Sequence, residues 1–452
     1  MAKHSVSRRT LLKAGAAGTA AAALPLVNVH GQAAGGTLAI GFWDHWVPGA
    51  NDTLTKIAQE WAQKNRVELK IDYITSNGNK LRLTAQAEAQ ARTGHDMLAF
   101  ATWDVNIHQR NLEPVDDLVA DLVRQYGPIN SIAEYLGKID GKWRAVPTTV
   151  GSQLKPPHVR MDLFKQHAGL DMQAMFPGGP EGRDPAKIAA WDWEAFLVAA
   201  EKLNKAGHPF GLPLGSFSDA IDWVGALFRS FNAVLVTEKG DIVVKTDPGT
   251  RAALEYMKRL CQHLPSDVFA WDDASNNRAY IAGRASLILN PPSAWAVAKR
   301  DAPQIAEQTW YIQMPKGPAG RFVGDLRYFH GIWSFSRQKN AAKDLIRHIS
   351  QRENAERLVA ASLGYDLPPF ASQFDFATWR DEGPPKGLLY NYTPRDDTQP
   401  NISGYPSEKS IAAQMYNQAT FTNMIARLVQ RNEAMDSVLS WAANELEGFQ
   451  RG

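Results

Sequence analysis

Cysteine is nearly absent from this sequence. The 452 residues include one cysteine, Cys261, so the chain forms no internal disulfide. Leu254, Met257, Leu260 and Leu264 share helical spacing with Cys261, which predicts a position on the apolar face of a helix. We therefore expect this thiol to belong to a hydrophobic core and to take no part in chemistry.

An excess of positive charge is also lacking. The chain has 49 Lys and Arg residues against 47 Asp and Glu residues, which gives a net charge of +2. Four of the positive charges lie within the first 13 residues, and without that segment the net charge becomes −2. No basic block with interleaved aromatics remains, so neither a nucleic acid nor an anionic membrane is predicted as a partner.

The signatures of several enzyme classes are missing as well. The sequence contains no H-E-x-x-H, C-x-x-C, G-x-S-x-G or G-x-x-x-x-G-K-[ST] motif and no glycine-rich dinucleotide turn. The paired acids at 116–117 and 272–273 are typical of helix caps and surface turns. We predict that the chain is not an enzyme and has no catalytic residue, cofactor or metal site.

The N-terminus has the parts of an export signal. Arg8 and Arg9 precede an Ala-rich apolar run at 14–27, which is too short to span a bilayer core of about 30 Å. Small residues up to Ala33 are typical of a cleavage point, so residues 1–33 are predicted to be a twin-arginine signal peptide. The mature chain of 419 residues is expected in the periplasm. A retained anchor helix is the alternative.

The length and the tryptophan content point to a binding molecule. About 420 residues exceed what one hydrophobic core usually organises, so two lobes are expected. Tryptophan outnumbers tyrosine by 14 to 12. Large flat apolar faces with one N–H suit the binding of a flat, hydroxylated molecule.

Residues 37–46 are predicted to form a buried strand that ends in a binding site. The apolar run is followed by Trp43, Asp44, His45 and Trp46. Ligands of open parallel sheets bind outside the carboxyl ends of the strands, so these side chains are candidates for recognition. In the alternative interpretation the aromatics belong to the core and Asp44 begins a helix.

The next strand ends in the same way. Residues 97–100 form a short apolar run, and Trp103 and Asp104 follow it. Strands and helices alternate up to residue 150, and an alternating pattern resumes after the Gly/Pro-rich stretch 177–185. The sequence therefore predicts an α/β fold with two lobes.

Other candidate residues lie in the second half of the chain. Strands are expected at 285–289, 309–314 and 332–335, and Asn290 and Trp295 follow the first of these. Trp223 is a candidate for stacking, although packing between helices explains it as well. Asp325 lies in the polar run 324–330, where a solvated loop is the alternative.

Five separated segments carry a resemblance to one family. They are T-G-H-D and the following strand at 93–100, N-L-E-P-V-D-D at 111–117, D-G-K-W-R-A-V-P at 140–147, A-G-R-A-S-L-I-L-N at 282–290 and M-P-K-G at 314–317. Their common order over residues 37–362 is similar to that of the carbohydrate-type extracellular solute-binding proteins of ABC importers, the family of maltose-binding-protein-like chains. Segment 365–406 has no counterpart in that pattern.

The resemblance implies a two-lobed periplasmic-binding-protein fold with a ligand cleft between the lobes. Hinge crossings are expected near residues 149–154, 284 and 330–333. The implied first lobe comprises 34–150 and 285–331, and the implied second lobe comprises 151–284 and 332–452.

The resemblance also implies a set of ligand contacts. By the resemblance, ligand contacts are expected at Trp43, Asp44, His45, Trp46, Trp103, Asp104, Asn290 and Trp295. Trp223 and Asp325 join the expected ligand-binding residues on their side-chain chemistry alone. Tryptophan rings would stack on the ligand, and the carboxylates and the amide would bind hydroxyl groups. Ser293 departs from the maltose-type pattern, which has an aromatic residue at that position, so the size of the sugar is not fixed.

The function implied is that of the periplasmic binding component of an ABC importer. It would bind a sugar, a polyol or a glycerophosphodiester-like solute as a monomer and deliver it to an inner-membrane permease. Two alternatives share the same cleft. One is a glycosidase-like enzyme exported in the folded state, and the other is a solute sensor for a signalling partner.

Overall fold

The computed structural model describes residues 36–179, 182–383, 392 and 397–451. The predicted signal peptide and its cleavage point at Ala33 lie outside the described residues. The strands are β1 (Thr37–Trp43), β2 (Glu68–Ile74), β3 (Met97–Ala101), β4 (Lys138–Ile139), β5 (Lys142–Trp143), β6 (Val146–Leu154), β7 (Pro157–Arg160), β8 (Leu287–Leu289), β9 (Thr309–Tyr311), β10 (Lys316–Gly317), β11 (Gly320–Ile332) and β12 (Thr398–Asn401).

Helices cover most of the chain between the strands. They are α1 (Ala50–Asn65), α2 (Lys80–Ala91), α3 (Asp104–His108), α4 (Asp116–Tyr126), α5 (Ser131–Gly137), α6 (Met161–Leu163), α7 (Met172–Met175), α8 (Pro185–Ala189), α9 (Trp193–Lys205), α10 (Ser218–Ser230), α11 (Pro248–Leu260), α12 (Ser275–Ile281), α13 (Ser293–Asp301), α14 (Pro303–Ala306), α15 (Lys339–Ile349), α16 (Arg352–Ala361), α17 (Thr378–Asp381), α18 (Lys409–Asn417), α19 (Thr420–Val429) and α20 (Met435–Arg451). Within the described part of the chain, no helix combines the length and the apolarity that crossing a membrane requires.

The first lobe is built on a mixed sheet. Its central strands run in the order β2–β1–β3–β11–β6; β1 is parallel to β2 and β3, and β11 is antiparallel to β3 and β6. Leu38, Ile40 and Phe42 alternate along β1 and pack with α1 on one face of the sheet. Leu98 and Phe100 of β3 pack with α2 on the other face. Helices therefore cover both faces, as the near-continuous apolar strands require.

The second lobe has a smaller antiparallel sheet in the order β8–β7–β9. Its core is rich in aromatic rings, and Trp193 and Phe210 both contact Phe196 at 5.2 and 4.9 Å between ring centroids. Cys261 packs against this core, as predicted, and burial raises the pKa of its thiol to about 12. The second lobe thus has its own hydrophobic core.

The strand pairings divide the chain differently from the expected lobe limits. Strands β8 and β9 pair with β7 in the second lobe, although residues 285–331 were expected in the first. Helices α15 and α16 pack on α1 in the first lobe, although residues 332–452 were expected in the second. We propose limits that follow these contacts, with the first lobe comprising 36–154 and 325–361. These limits differ from the expected ones because β8 and β9 lie on either side of β7, where Val159 is opposite Leu287 in one strand and Trp310 in the other.

Two chain segments join the lobes, one beside the predicted crossing at 149–154 and the other several residues before the predicted crossing at 330–333. Strand β6 leads into β7 through residues 155–156, and β11 continues from the second lobe into the first-lobe sheet. At Arg284, where a third crossing was expected, the chain stays in the second lobe between α12 and β8. The polar run 324–330, expected to separate two strands, is instead the middle of β11. The run pairs with β6 between residues 325 and 330, and residues 328–330 also pair with β3, so its backbone groups find partners within the sheet.

The C-terminal part connects the lobes a third time. Helix α18 packs with α20 in the second lobe and also contacts α3 of the first lobe. Within segment 365–406, which the sequence left unassigned, β12 pairs in parallel with the first half of β11. These contacts hold the two lobes against each other beside the hinge segments.

Candidate functional site

A cleft of two adjoining cavities lies between the lobes. The Arg82 cavity encloses about 430 Å³, including space open to solvent, and is lined by Ser76, Asn79, Leu81, Arg82, Ala101, Thr102, Asp104, Ser218, Asp273, Leu326, Tyr328 and Tyr416. The Trp43 cavity measures about 280 Å³, also including space open to solvent, and is lined by Trp43, Trp46, Ser76, Gln153, Ser218, Asp219, Asp273, Asn277, Asn290, Ser293, Tyr328 and Tyr365. Four lining residues are common to both, so the two cavities form one cleft.

Aromatic rings from three segments form one wall of the Trp43 cavity. The ring of Trp43, at the carboxyl end of β1, lies 5.0 Å from the ring of Tyr328 and 6.1 Å from that of Tyr365. Its Nε1 donates a hydrogen bond to Ser76 Oγ at 3.4 Å. Only 1% of Trp43 is exposed, so its ring is held in place by its neighbours where it lines the cavity.

His45, a predicted ligand-binding residue, is instead part of a buried hinge contact. The backbone N–H of Val47 donates to His45 Nδ1 at 2.9 Å, so the ring proton lies on Nε2. Nε2 donates to Asp366 Oδ1 at 3.1 Å, and the same oxygen accepts the backbone N–H of Gly151 at 2.8 Å. The end of β1 is thereby tied to the middle of β6.

Asp104 lies in the wall of the Arg82 cavity, beside residues that the sequence did not single out. Its Oδ1 accepts a hydrogen bond from Arg82 Nε at 3.2 Å, and the Arg82 guanidinium lies 5.9 Å from the ring of Tyr416. The hydroxyl of Thr102 is buried at the same wall without a hydrogen-bond partner. This wall therefore offers a paired charge and a free hydroxyl to a solute.

Buried charges form the second-lobe wall. Lys155 Nζ lies 2.8 Å from Asp219 Oδ1 and 2.7 Å from Asp222 Oδ2. Burial alone would lower the pKa of Lys155, but the surrounding carboxylates raise it, so this ammonium stays charged. Asp273 Oδ1 accepts hydrogen bonds from Ser218 Oγ and the Asp219 backbone N–H at 3.3 and 3.2 Å. Burial, followed by the charge of Asp219, raises the pKa of Asp273 to about 7.

Amide side chains complete the Trp43 cavity. Asn290, at the end of β8, donates to Asn277 Oδ1 and to Ser293 Oγ, the latter at 3.3 Å. Asn277 Nδ2 donates to Ser293 Oγ at 3.0 Å. The predicted residue Asn290 thus lies in the cleft, within a network of amide and hydroxyl groups that suits hydroxyl recognition.

Three predicted tryptophans lie in the hydrophobic cores instead of the cavity walls. Trp103 is fully buried, and its Nε1 donates to the Ser403 carbonyl at 2.9 Å. Trp223 Nε1 donates to the Pro213 carbonyl at 2.8 Å inside the second lobe. Trp295 is buried on α13 with the Lys299 ammonium 4.8 Å from its ring. A large ring that follows a strand gains as much free energy from core burial as from stacking on a solute.

The two predicted acids Asp44 and Asp325 have internal partners. Asp44 accepts a hydrogen bond from Asn51 Nδ2 at 2.7 Å, which orders the turn before α1. Asp325 and Arg327 form a buried ion pair, with Arg327 Nη2 2.7 Å from Asp325 Oδ2. Side chains alternate along β11, so this pair points away from the face on which Leu326 and Tyr328 line the cleft.

Few sequence patterns pointed to the remaining lining residues. Asp273 was assigned with Asp272 to a cap or surface turn; Asp272 Oδ1 does accept from the backbone N–H of Ala274 at the start of α12, but Asp273 turns inward. Tyr328 was placed in a polar run. Arg82, Gln153, Tyr365 and Tyr416 reach the cleft from different parts of the chain, and no local pattern marks them.

Sequence comparisons identify similar proteins. Residues 56–383 match the family described as bacterial extracellular solute-binding protein, and residues 5–25 match the twin-arginine translocation pathway signal sequence. A probable ABC transporter-binding protein of Deinococcus radiodurans is 22% identical over 237 residues, 51% of this chain and 53% of that protein. The chain thus spans about half the length of this curated relative. The predicted export to the periplasm by the twin-arginine pathway is confirmed.

Solved structures share the fold. Maltose-bound MalE3 of T. maritima has a TM-score of 0.72 at 17% identity, covering 92% of this chain and 99% of its own. A chitin oligosaccharide binding protein has a TM-score of 0.72 at 15% identity, covering 92% and 100%. A sugar transporter from Arthrobacter chlorophenolicus with bound laminaribiose has a TM-score of 0.68 at 15% identity, covering 91% and 98%. The two-lobed α/β fold predicted from the sequence is confirmed, and these similar proteins are binding proteins rather than enzymes.

Proposed function

The chain belongs to the bacterial extracellular solute-binding proteins, and from that premise we propose that it is the binding component of an ABC importer. In this proposal it takes up a sugar or polyol-type solute in the periplasm, encloses it between the two lobes, and delivers it to an inner-membrane permease. The printed descriptions of similar proteins, which name maltose, chitin oligosaccharide and laminaribiose, support a carbohydrate-like solute.

The observation that carries the proposal is the chemistry of the cleft. Trp43, Trp46 and Tyr328 supply apolar ring surface, while Asp104 and the amides and hydroxyls of the second lobe supply hydrogen-bonding groups. A sugar has apolar C–H patches on its ring and hydroxyl groups around its edge, so it needs both kinds of surface. Contributions from both lobes also mean that binding stabilises the closed arrangement.

The proposal includes no catalytic step and no partner subunit. The solute-binding unit is proposed to be a monomer. Multi-angle light scattering of the purified mature protein tests the monomer. Chromatography of solutes recovered after overnight incubation tests the absence of hydrolysis, and products of glycosidic cleavage would favour the enzyme alternative.

A thermal-shift screen of the mature protein against sugars and polyols tests the function. A solute at 100 times its Kd raises the stability of the folded state by about 2.7 kcal/mol, which gives a clear rise in Tm. Titration calorimetry then gives the Kd of each hit. If no sugar or polyol raises Tm at millimolar concentration, the proposed function is wrong.

Trp46→Ala provides the site-directed test. Trp46 is half-buried in the wall of the Trp43 cavity, so its removal takes away ring surface and should weaken binding by about tenfold or more. Trp441→Ala is the matched control, because Trp441 is also half-buried but lies on α20 beneath Arg427. Equal Kd values for the two variants would remove Trp46 from the binding site.

A further inference from the structure

Resting on the proposed function, we propose that the solute carries a protonated amine, as in an amino sugar or an amino-substituted polyol. The ammonium group is received by the Asp273 carboxylate in the Trp43 cavity, and the hydroxylated ring lies against the aromatic wall. This inference names the chemical class of the solute, whereas the proposed function leaves it at any sugar or polyol.

The balance of charge in the cleft supports a cationic solute. Among the described residues that line the Trp43 cavity, Asp219 and Asp273 are acids, and no Lys, Arg or His is present. Lys155 lies behind this wall and is within 2.8 Å of both Asp219 and Asp222. One ammonium therefore faces three carboxyl groups. In the adjoining cavity Arg82 is paired with Asp104 and adds no net positive charge.

The state of Asp273 is consistent with this imbalance. Its carboxyl group lines both cavities, and its Oδ1 accepts from Ser218 and from the backbone of Asp219. Burial, and after it the charge of Asp219, raise its pKa to about 7, so the charged form of this carboxyl group is disfavoured where it lies. A solute ammonium beside Asp273 would remove that imbalance and form a charge-assisted hydrogen bond.

Free acceptors in the same cavity provide independent support. Gln153 Oε1 and the Tyr365 hydroxyl are buried at the Trp43 cavity without a hydrogen-bond partner, and their residues are 5% and 0% exposed. Buried polar atoms normally have a partner, so these two atoms point to a ligand. An ammonium group brings three donors and no acceptor, which matches a wall of carboxylate, amide and hydroxyl oxygens.

Two other ligand classes fit the cleft less well. A phosphorylated or carboxylated solute would bring negative charge beside Asp219 and Asp273, which like-charge repulsion disfavours. A bare metal ion needs several converging ligands, and within the described residues no group of three or more His, Cys, Asp or Glu side chains is arranged to hold one. The aromatic rings of Trp43 and Tyr328 instead suit an organic ring bearing a cation.

Titration calorimetry with matched solutes tests the inference. The probes are sets that differ only at the amine: glucosamine with glucose and N-acetylglucosamine, galactosamine with galactose, and an amino-inositol with its parent inositol. We expect at least one amine to bind about 10- to 100-fold more tightly than its neutral counterparts, as a hydrogen bond between charged groups implies.

Asp273→Asn separates charge from shape. The asparagine keeps an oxygen that accepts from Ser218 and Asp219 but carries no charge, so the ratio of the Kd of a neutral sugar to the Kd of its amine should fall to about one. Asp436→Asn is the control, since it removes one carboxylate from the exposed start of α20. Thermal melts of both variants verify that they fold.

The outcomes distinguish the inference from the proposed function. If neutral sugars bind as tightly as their amines, or if Asp273→Asn keeps the preference, the inference is overturned and the proposed function stands. If none of these compounds binds while another neutral sugar or polyol raises Tm, the inference alone is overturned, and if no sugar or polyol of either kind binds, both fail.

Discussion

His95 lies between two carboxylates of the first lobe. Its Nδ1 is 2.5 Å from Glu88 Oε1, and its Nε2 is 3.0 Å from Asp72 Oδ2. Burial opposes a positive charge on the ring, but the hydrogen bonds and charges of Glu88 and Asp72 outweigh it and raise the pKa of His95. Protonation of this histidine is therefore coupled to folding.

Replacing His95 by glutamine tests this coupling. A folded-state pKa above the unfolded value of 6.5 means that the stabilisation is complete below pH 6.5 and is lost as the pH rises through the folded pKa. The wild-type advantage over His95→Gln in the free energy of unfolding should thus be larger at pH 5.5 than at pH 8.5, as measured by urea denaturation.

His348 supplies the opposite control. Burial lowers its pKa, so the folded state favours the neutral ring, and its stabilisation is lost as the pH falls. The advantage of the wild type over His348→Gln should shrink at low pH. If both variants follow the same pH trend, the assignment of a charged His95 is wrong.

At the residue scale, sequence patterns identified some but not all of the cleft. Trp43 ends a strand, Trp103 follows one, and both precede an acid, yet Trp43 lines a cavity and Trp103 lies in the hydrophobic core. The difference depends on Ser403, whose carbonyl lies 300 positions along the chain and accepts the Trp103 N–H. Local sequence has no information on such a partner. Asp104 and Asn290 follow strands and were predicted from that local pattern. Gln153 and Asp273 reach the cleft through contacts with distant parts of the chain, which the local sequence does not reveal.

At the element scale, Gly151 fixes the path of β6 beside the aromatic wall. It has a φ of 85°, a region that residues with a Cβ rarely adopt. A Cβ at this position would lie 2.7 Å from Tyr328 Cδ2 and 3.0 Å from Trp43 Cε3. Its backbone N–H also donates to Asp366. The hinge strand and the binding wall are therefore packed too closely for any side chain here.

Gly151→Ala should lower both stability and solute affinity. The left-handed backbone alone costs about 1–2 kcal/mol with a Cβ present, and displacement of Tyr328 or Trp43 adds to that cost. Gly141→Ala is the matched control, because Gly141 has a φ of 76° in the turn before β5 but no atom within 4 Å of its added Cβ.

Chemical denaturation and titration calorimetry separate the two effects. Gly141→Ala should lose stability only and keep the solute Kd of the wild type, whereas Gly151→Ala should lose more stability and bind weakly. An unchanged Kd for Gly151→Ala would show that the aromatic wall tolerates movement of β6.

The helices and short apolar strands of the first lobe were predictable, because their periodicity reflects burial on one or two faces. Strand β11 was not. Its polar residues resemble a loop, and only the pairing of Tyr328 with Ala101 on one side and Thr148 on the other makes it a central strand. Asp325 and Arg327 form an ion pair, and this pairing allows both charged side chains to be buried in β11.

At the scale of the whole molecule, the two-lobed architecture was predictable from length and family pattern. The assignment of β8 and β9 to the second lobe was not predictable, because it depends on their pairing with β7, which the sequence does not show. The contacts that hold the two lobes together could not be predicted from the sequence either. They come from the C-terminal region, where the Tyr405 ring lies 5.4 Å from that of Tyr135 in the first lobe.

Lys409 is the charged member of this closing contact. Its Nζ, at the start of α18, donates to the Tyr135 carbonyl at 2.7 Å and to the Lys138 carbonyl at 3.3 Å, and it lies 4.2 Å from the Tyr135 ring. These carbonyls belong to the last turn of α5 and to β4 in the first lobe. The contact therefore joins α18 to the first lobe.

Lys409→Met should weaken the closed state without altering the cavity walls. Loss of contacts specific to the closed state lowers its population, and the apparent Kd rises in proportion, by about three- to tenfold for roughly 1 kcal/mol. Small-angle X-ray scattering should show a larger radius of gyration than the wild type at a solute concentration that saturates only the wild type. Lys343→Met is the control, because Lys343 pairs with Asp117 at 2.9 Å within the first lobe. Closure does not depend on the Lys409 contact if both variants match the wild type in Kd and in radius of gyration.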